Sequence, residues 1–170
     1  MNQSLTWLNR LSAGDAESEF LKCCGSIAWA RAMAQARPFA SHKEVFTKAE
    51  QVAAELKTED WLEAFRAHPK IGEQKAAKSQ TEQEQRWSAQ EQSAVHAASV
   101  DTITELTSRN REYEARFGFI FIVCATGKSP AEMLAILQQR IDHDPETELQ
   151  LAAQEQRKIT LLRLEKLLAT

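Results

Sequence analysis

Glycine and proline are scarce in this chain, five and four among 170 residues, while alanine, glutamate, glutamine, leucine and lysine dominate. Inside a helix, Gly costs roughly 1 kcal/mol and Pro roughly 3 kcal/mol relative to Ala, so a sequence that avoids both is expected to be helical nearly throughout. The remaining punctuation falls where helices should begin. Ser41-His42-Lys43-Glu44, Ser88-Ala89-Gln90-Glu91 and Ser129-Pro130-Ala131-Glu132 have the capping-box form, in which a hydroxyl and a carboxylate close orphan amides reciprocally.

The first box opens a helix expected to bury Val45, Ala49, Val52 and Leu56. Thr58 is expected to cap a short helix with Glu59 and Asp60 in its positive first turn and Trp61, Leu62 and Phe65 inward. That helix must stop near Ala67, because Pro69 pushes His68 out of the α region. Residues 73–87 read as a polar tract. The second box is then expected to start one long helix to Phe117, along which Val95, Ala98, Thr102, Leu106, Asn110, Tyr113 and Phe117 recur at helical spacing, with Gly118 ending it. The third box carries Pro130 at the favoured first position. Asp144-Pro145-Glu146 begins a final helix with Leu149, Ala152, Ile159, Leu162, Leu164 and Leu167 as core candidates. No repeat or linker interrupts the pattern, so the expected architecture is all-α, a single multi-helix domain over residues 1–170. Phe119-Ile120-Phe121-Ile122-Val123 is the exception, β-rich by propensity but without a partner strand; a buried irregular or helical segment is expected.

Composition excludes several classes. Apolar residues at 43% and charged residues at 26% are those of an ordinary globular chain, and this length buries a core without metal or disulfide. With 21 basic and 24 acidic residues, a net charge of −3 and no basic block, nucleic-acid binding is disfavoured. The longest apolar run, Phe117 to Ala125, is less than half a bilayer span, so no membrane association is expected. Met1-Asn2-Gln3-Ser4 does not begin a secretory signal, and Leu168-Ala169-Thr170 is no targeting tripeptide. Cys23, Cys24 and Cys124 are an odd set, expected to be free thiols in a reducing cytoplasm.

The common catalytic signatures are missing: no Gly-rich phosphate loop, no G-x-S-x-G elbow, no C-x-x-C and no H-E-x-x-H. A metalloenzyme is not expected. His68, held between a helix end and a proline-fixed turn, suits proton transfer near neutrality; it equally suits a histidine offsetting a helix dipole. His42 and His143 read as surface residues, and His96 as facing either way. Ser88 to Gln92 is either an ordinary helix start or a cluster of hydroxyl, carboxylate, carboxamide and free amides suited to a urea or amide heterocycle. Phe119–Ala125 is either core or a segment whose main chain faces a ligand. Arg163, among leucines, wants either a carboxylate partner or a ligand.

Taken together and in order, Arg37-Pro38-Phe39, His68-Pro69-Lys70-Ile71-Gly72, Ser88-x-x-Glu91-Gln92, Asn110-x-x-Tyr113-x-x-x-Phe117-Gly118-Phe119-x-Phe121, and Lys158-Ile159 ahead of Arg163-Leu164 resemble one family. It is the 2-oxo-4-hydroxy-4-carboxy-5-ureidoimidazoline (OHCU) decarboxylases of the urate-to-allantoin pathway. The resemblance spans residues 37 to 164. It implies an all-α, cofactor-free, usually homodimeric enzyme that acts on the small molecule OHCU and forms (S)-allantoin. By resemblance His68 is the catalytic acid/base, with Glu91 also in the catalytic set. Pro69, Ser88, Glu91 and Gln92 contact substrate, the main chain of Phe121, Ile122, Val123, Cys124 and Ala125 holds the heterocycle, and Arg163 grips the ligand. The C-terminus lacks the peroxisomal signal of animal relatives, which fits a bacterial cytoplasmic protein, and no hydrolase domain for the preceding step is expected.

Loss of CO2 leaves electrons that delocalise into an enolate, so this chemistry obliges neither cofactor nor metal. The alternatives are a non-enzymatic all-α ligand-binding or interaction protein, and another cofactor-free lyase or hydrolase acting on a ureide.

Overall fold

Ser12, Ser26, Ser41, Thr81, Ser99 and Ser129 each precede a helix and accept a hydrogen bond from the amide three residues on. This local chemistry sets the element boundaries in the computed structural model, which describes residues 3–72, 81–93 and 99–169. Among those residues every regular element is an α-helix: α1 (Gln3–Arg10), α2 (Ala13–Cys23), α3 (Ile27–Gln35), α4 (His42–Glu55), α5 (Thr58–Arg66), α6 (Glu82–Glu91), α7 (Val100–Phe117), α8 (Pro130–Arg140) and α9 (Pro145–Leu168). None of them is long and apolar enough to cross a membrane.

Two expectations about helix starts are corrected. Ser88 does not open a helix; it is buried in the last turn of α6, which starts instead at Thr81 with a complete Thr81/Glu84 capping box. Thr81-Glu82-Gln83-Glu84 has the same form as the later box and carries its acids in the first turn, where the helix dipole favours them. The long helix to Phe117 therefore begins only at Val100, capped by Ser99; Val95, His96 and Ala98 lie outside the described residues. Thr58 is the first residue of α5 rather than its cap, and Asp60 Oδ2 closes that end by accepting the Lys57 amide at 2.9 Å.

The chain divides into two compact units, Met1–Ala64 with Arg157–Thr170, and Phe65–Gln156. In the first, Phe20 and Trp29 are fully buried and meet edge to face at 6.0 Å, with Leu8, Met33, Val45, Ala49, Leu164 and Leu167 also in the core. Burial of each of the Val, Leu, Met and Phe side chains contributes about 1.5–3 kcal/mol. Arg37 donates from Nη1 to Leu8 O (2.7 Å) and Leu11 O (2.9 Å), and from Nε to Ala34 O (3.0 Å). It thereby satisfies carbonyls at the C-terminal ends of α1 and α3 that have no helical partner.

In the second unit α7 is the organising element. Its buried Tyr113 packs against Phe117, Phe119 and Phe121 with centroids 4.6, 5.8 and 5.4 Å away. Gly118 ends the helix in the left-handed conformation (φ 78°), and its amide bonds Glu114 O. The segment Phe119 to Ala125 is irregular, as its lack of a partner strand implies, and all of it but the half-buried Ile120 is buried.

Candidate active site

The turn from His68 to Gly72 is fixed by α7. Asn110, buried on that helix, donates from Nδ2 to Ile71 O at 3.0 Å, and Glu114, one turn further on, pairs with Lys70 Nζ at 2.6 Å. Gly72 adopts φ +83°, a backbone conformation that calls for glycine, and a Cβ there would lie 3.3 Å from Thr107 Oγ1, so that side chain would have to give by a few tenths of an ångström. Backbone rigidity at this turn carries over to the half-buried imidazole of His68. Its Nε2 lies 2.6 Å from Oε1 of Gln156, a side chain on α9 with no exposed surface. Pro69, next in the turn, is half-buried.

Phe121 to Ala125 is buried throughout, and its main chain is held from three sides. Glu155 on α9 accepts the Cys124 amide at 2.7 Å, Lys128 Nζ donates to Cys124 O at 2.8 Å, and Arg140 Nη1 donates to Ile122 O at 2.6 Å. The Cys124 amide is thus committed to Glu155.

Arg140 is itself buried and ion-paired with Glu148, which has no exposed surface. Glu148 also accepts the Tyr113 hydroxyl at 2.6 Å and faces His143 Nδ1 at 3.1 Å. Burial and that carboxylate push the Tyr113 phenol well above its ordinary pKa. His143 is consequently half-buried in an ionic cluster rather than a plain surface residue. His42 also departs from the surface reading: its Nε2 is buried, with no hydrogen-bond partner among the described residues.

Glu91 and Gln92, at the end of α6, are half-buried. The Glu91 charge is felt at Cys124, whose thiol is pushed up chiefly by burial, lowered by the Thr126 amide and Lys128, and raised again by Glu155 and Glu91. His68, Glu91 and the Phe121–Ala125 segment all belong to the unit Phe65–Gln156, while Arg163 belongs to the other. Arg163 is buried there and donates from Nη1 to Lys22 O, near the end of α2, at 3.3 Å.

Sequence reading passed over Arg140, Glu148, Glu155 and Gln156. A signal for two of them exists: Glu148, Ala152, Gln156, Ile159 and Arg163 follow one another at helical spacing, so Glu148 and Gln156 are polar residues on an apolar stripe.

An all-helical protein that holds a histidine against a buried carboxamide, and a buried main-chain segment against a carboxylate, has the makings of a proton-transfer enzyme for a small polar ligand. The OHCU decarboxylase family model matches residues 9–165, and the chain belongs to that family. The uric acid degradation bifunctional protein of Arabidopsis thaliana is 38% identical over 151 residues, covering 89% of this chain but only 47% of that longer protein. The 2-oxo-4-hydroxy-4-carboxy-5-ureidoimidazoline decarboxylase of Haloferax volcanii is 29% identical over 166 residues, 95% of this chain and 94% of its own. A crystal structure of an OHCU decarboxylase determined in the presence of (S)-allantoin superposes with a TM-score of 0.78 at 38% identity, covering 89% of this chain and 98% of the other.

Proposed function

We propose that the chain decarboxylates OHCU to (S)-allantoin, with His68 delivering the proton that sets the stereochemistry. The observation that carries this reading is the His68 ring itself, set on a turn braced by α7 and hydrogen-bonded to the fully buried Gln156. A single acid held at one orientation protonates one face of a planar carbanion; a freely rotating one does not.

The chemistry follows from the substrate. The bond to CO2 breaks, its electron pair forms a C=C bond to the ureido-bearing carbon, and the C=N pair of the imidazoline ring moves onto the ring nitrogen, which takes a proton from water. An enol results, with its hydroxyl on the carbon that carried the carboxylate. Loss of that hydroxyl proton and gain of a proton at the ureido-bearing carbon give allantoin. Main-chain amides of the Phe121–Ala125 segment other than that of Cys124, which Glu155 already accepts, serve as donors to the developing oxyanion, an interaction worth roughly 3–4 kcal/mol per donor in an oxyanion hole. Glu91 and Gln92 bind the ureido and ring N–H and C=O edges. The Glu91 carboxylate, placed beside the departing carboxylate, repels it until CO2 leaves. Ser88 and Pro69 complete the contacts, and Arg163 enters through the family resemblance as the arginine that grips the ligand.

The active species is proposed to be a cytoplasmic homodimer in which both units act as one domain; sedimentation should return twice the 19.2 kDa chain mass. The test of the reaction is selectivity. Added to OHCU, 5-hydroxyisourate and allantoin in turn, the protein should accelerate loss of OHCU alone. Turnover of 5-hydroxyisourate or allantoin instead would make it a different ureide enzyme, and turnover of none would favour a helical binding protein.

A further inference from the structure

We infer that Gln156 is the positioning residue of His68: its carboxamide oxygen holds the neutral imidazole in the tautomer protonated at Nε2, leaving Nδ1 as the nitrogen that exchanges a proton with substrate. This rests on the reading of His68 as the acid. A carboxamide oxygen only accepts, so an Nε2 that lies 2.6 Å from it must carry the hydrogen. Gln156 has no exposed surface, which fixes the acceptor in place. The preceding residue, Glu155, accepts the Cys124 amide at 2.7 Å, so one peptide of α9 ties the histidine to the main-chain segment proposed to hold the ring. A neutral acceptor also suits the task. A carboxylate there would stabilise the imidazolium and hold back its proton, whereas a carboxamide orients the ring without adding charge.

The exchange of the hydroxyl proton for the new C–H proton balances at His68 on this arrangement. In the imidazolium, the Nδ1–H bond breaks as the C–H bond forms at the ureido-bearing carbon. The neutral ring remains with Nε2–H on Gln156. The hydroxyl proton released as the enol becomes a carbonyl restores Nδ1–H.

Ring-nitrogen NMR of the ligand-free protein, on the alkaline side of the His68 titration, reads the tautomer directly; His68→Asn assigns the signal among the four histidines. The expected result is Nε2–H. In Gln156→Met that preference should be lost and kcat should fall about 10–100-fold, with KM changed less than about two-fold. Gln156→Glu keeps an acceptor and should restore the tautomer. A neutral ring protonated at Nδ1, or a Gln156→Met protein with unchanged tautomer and kcat, would overturn the inference. Because the spectrum needs no substrate, an inactive protein showing Nε2–H would defeat the proposed reaction alone, and an active one showing Nδ1–H would defeat this inference alone.

Discussion

His68 stands at the residue where α5 has ended and Pro69 forbids its continuation; its amide bonds Phe65 O at 3.2 Å, while Gln156, which meets its ring, and Asn110, which braces its turn, come from elsewhere in the sequence. At this scale the sharpest expectation concerns Glu91. Glu91→Gln keeps the hydrogen-bonding shape but removes the charge, so ligand binding should survive while kcat falls about 100-fold, the worth of a typical charged catalytic group. Steady-state kinetics checks this, and equal turnover by the variant would end the electrostatic role. The turn at His68 was legible in sequence because proline and a helix end mark it, while the local pattern left the role of the ring open between proton transfer and offsetting a helix dipole. Gln156 was not, since a glutamine in a run of Gln154-Glu155-Gln156 looks like a solvated face until its register with Ala152 and Ile159 is counted.

At the scale of elements, α9 and α8 meet through a buried charge pair. Arg140 and Glu148 are both out of water, and Arg140 also holds Ile122 O. Arg140→Met strands the Glu148 carboxylate and should cost about 3–5 kcal/mol in denaturant unfolding, whereas Arg140→Met with Glu148→Leu should cost less than the single change. A single variant no worse than the double would mean that Glu148 finds full compensation in Tyr113 and His143. Helix existence was readable almost everywhere because propensity and caps agree. The start of α6 was misplaced because two capping-box patterns, at Thr81 and Ser88, compete within one polar stretch, and hydrogen-bonding form alone does not choose between them. The irregular Phe119–Ala125 run was legible as buried, but beside the local Lys128 two partners that hold its main chain come from α8 and α9, long-range choices no local pattern encodes.

For the whole molecule, the family match over residues 9–165 runs through both compact units, so stability and activity are expected to be lost together. Alkali should reveal the cost of buried thiols. Burial raises the Cys24 thiol from its ordinary 9.0 to about 11, opposed by bonds from Ser26 and Thr160. The unfolded chain releases that proton first, so the stabilisation is complete below pH 9.0 and is lost as pH rises toward about 11. Thermal unfolding across that window should show a falling midpoint, and a flatter decline in Cys24→Ala; identical slopes would remove Cys24 from the explanation.

The most direct measurement generates OHCU in place from urate, using urate oxidase and 5-hydroxyisourate hydrolase, and follows circular dichroism of the allantoin as this protein is added. The expected result is rapid growth of a one-handed (S)-allantoin signal, abolished in His68→Ala. A slow drift to racemic allantoin, no faster than without the protein, or a His68→Ala variant as fast and as stereospecific as the native chain, would contradict it.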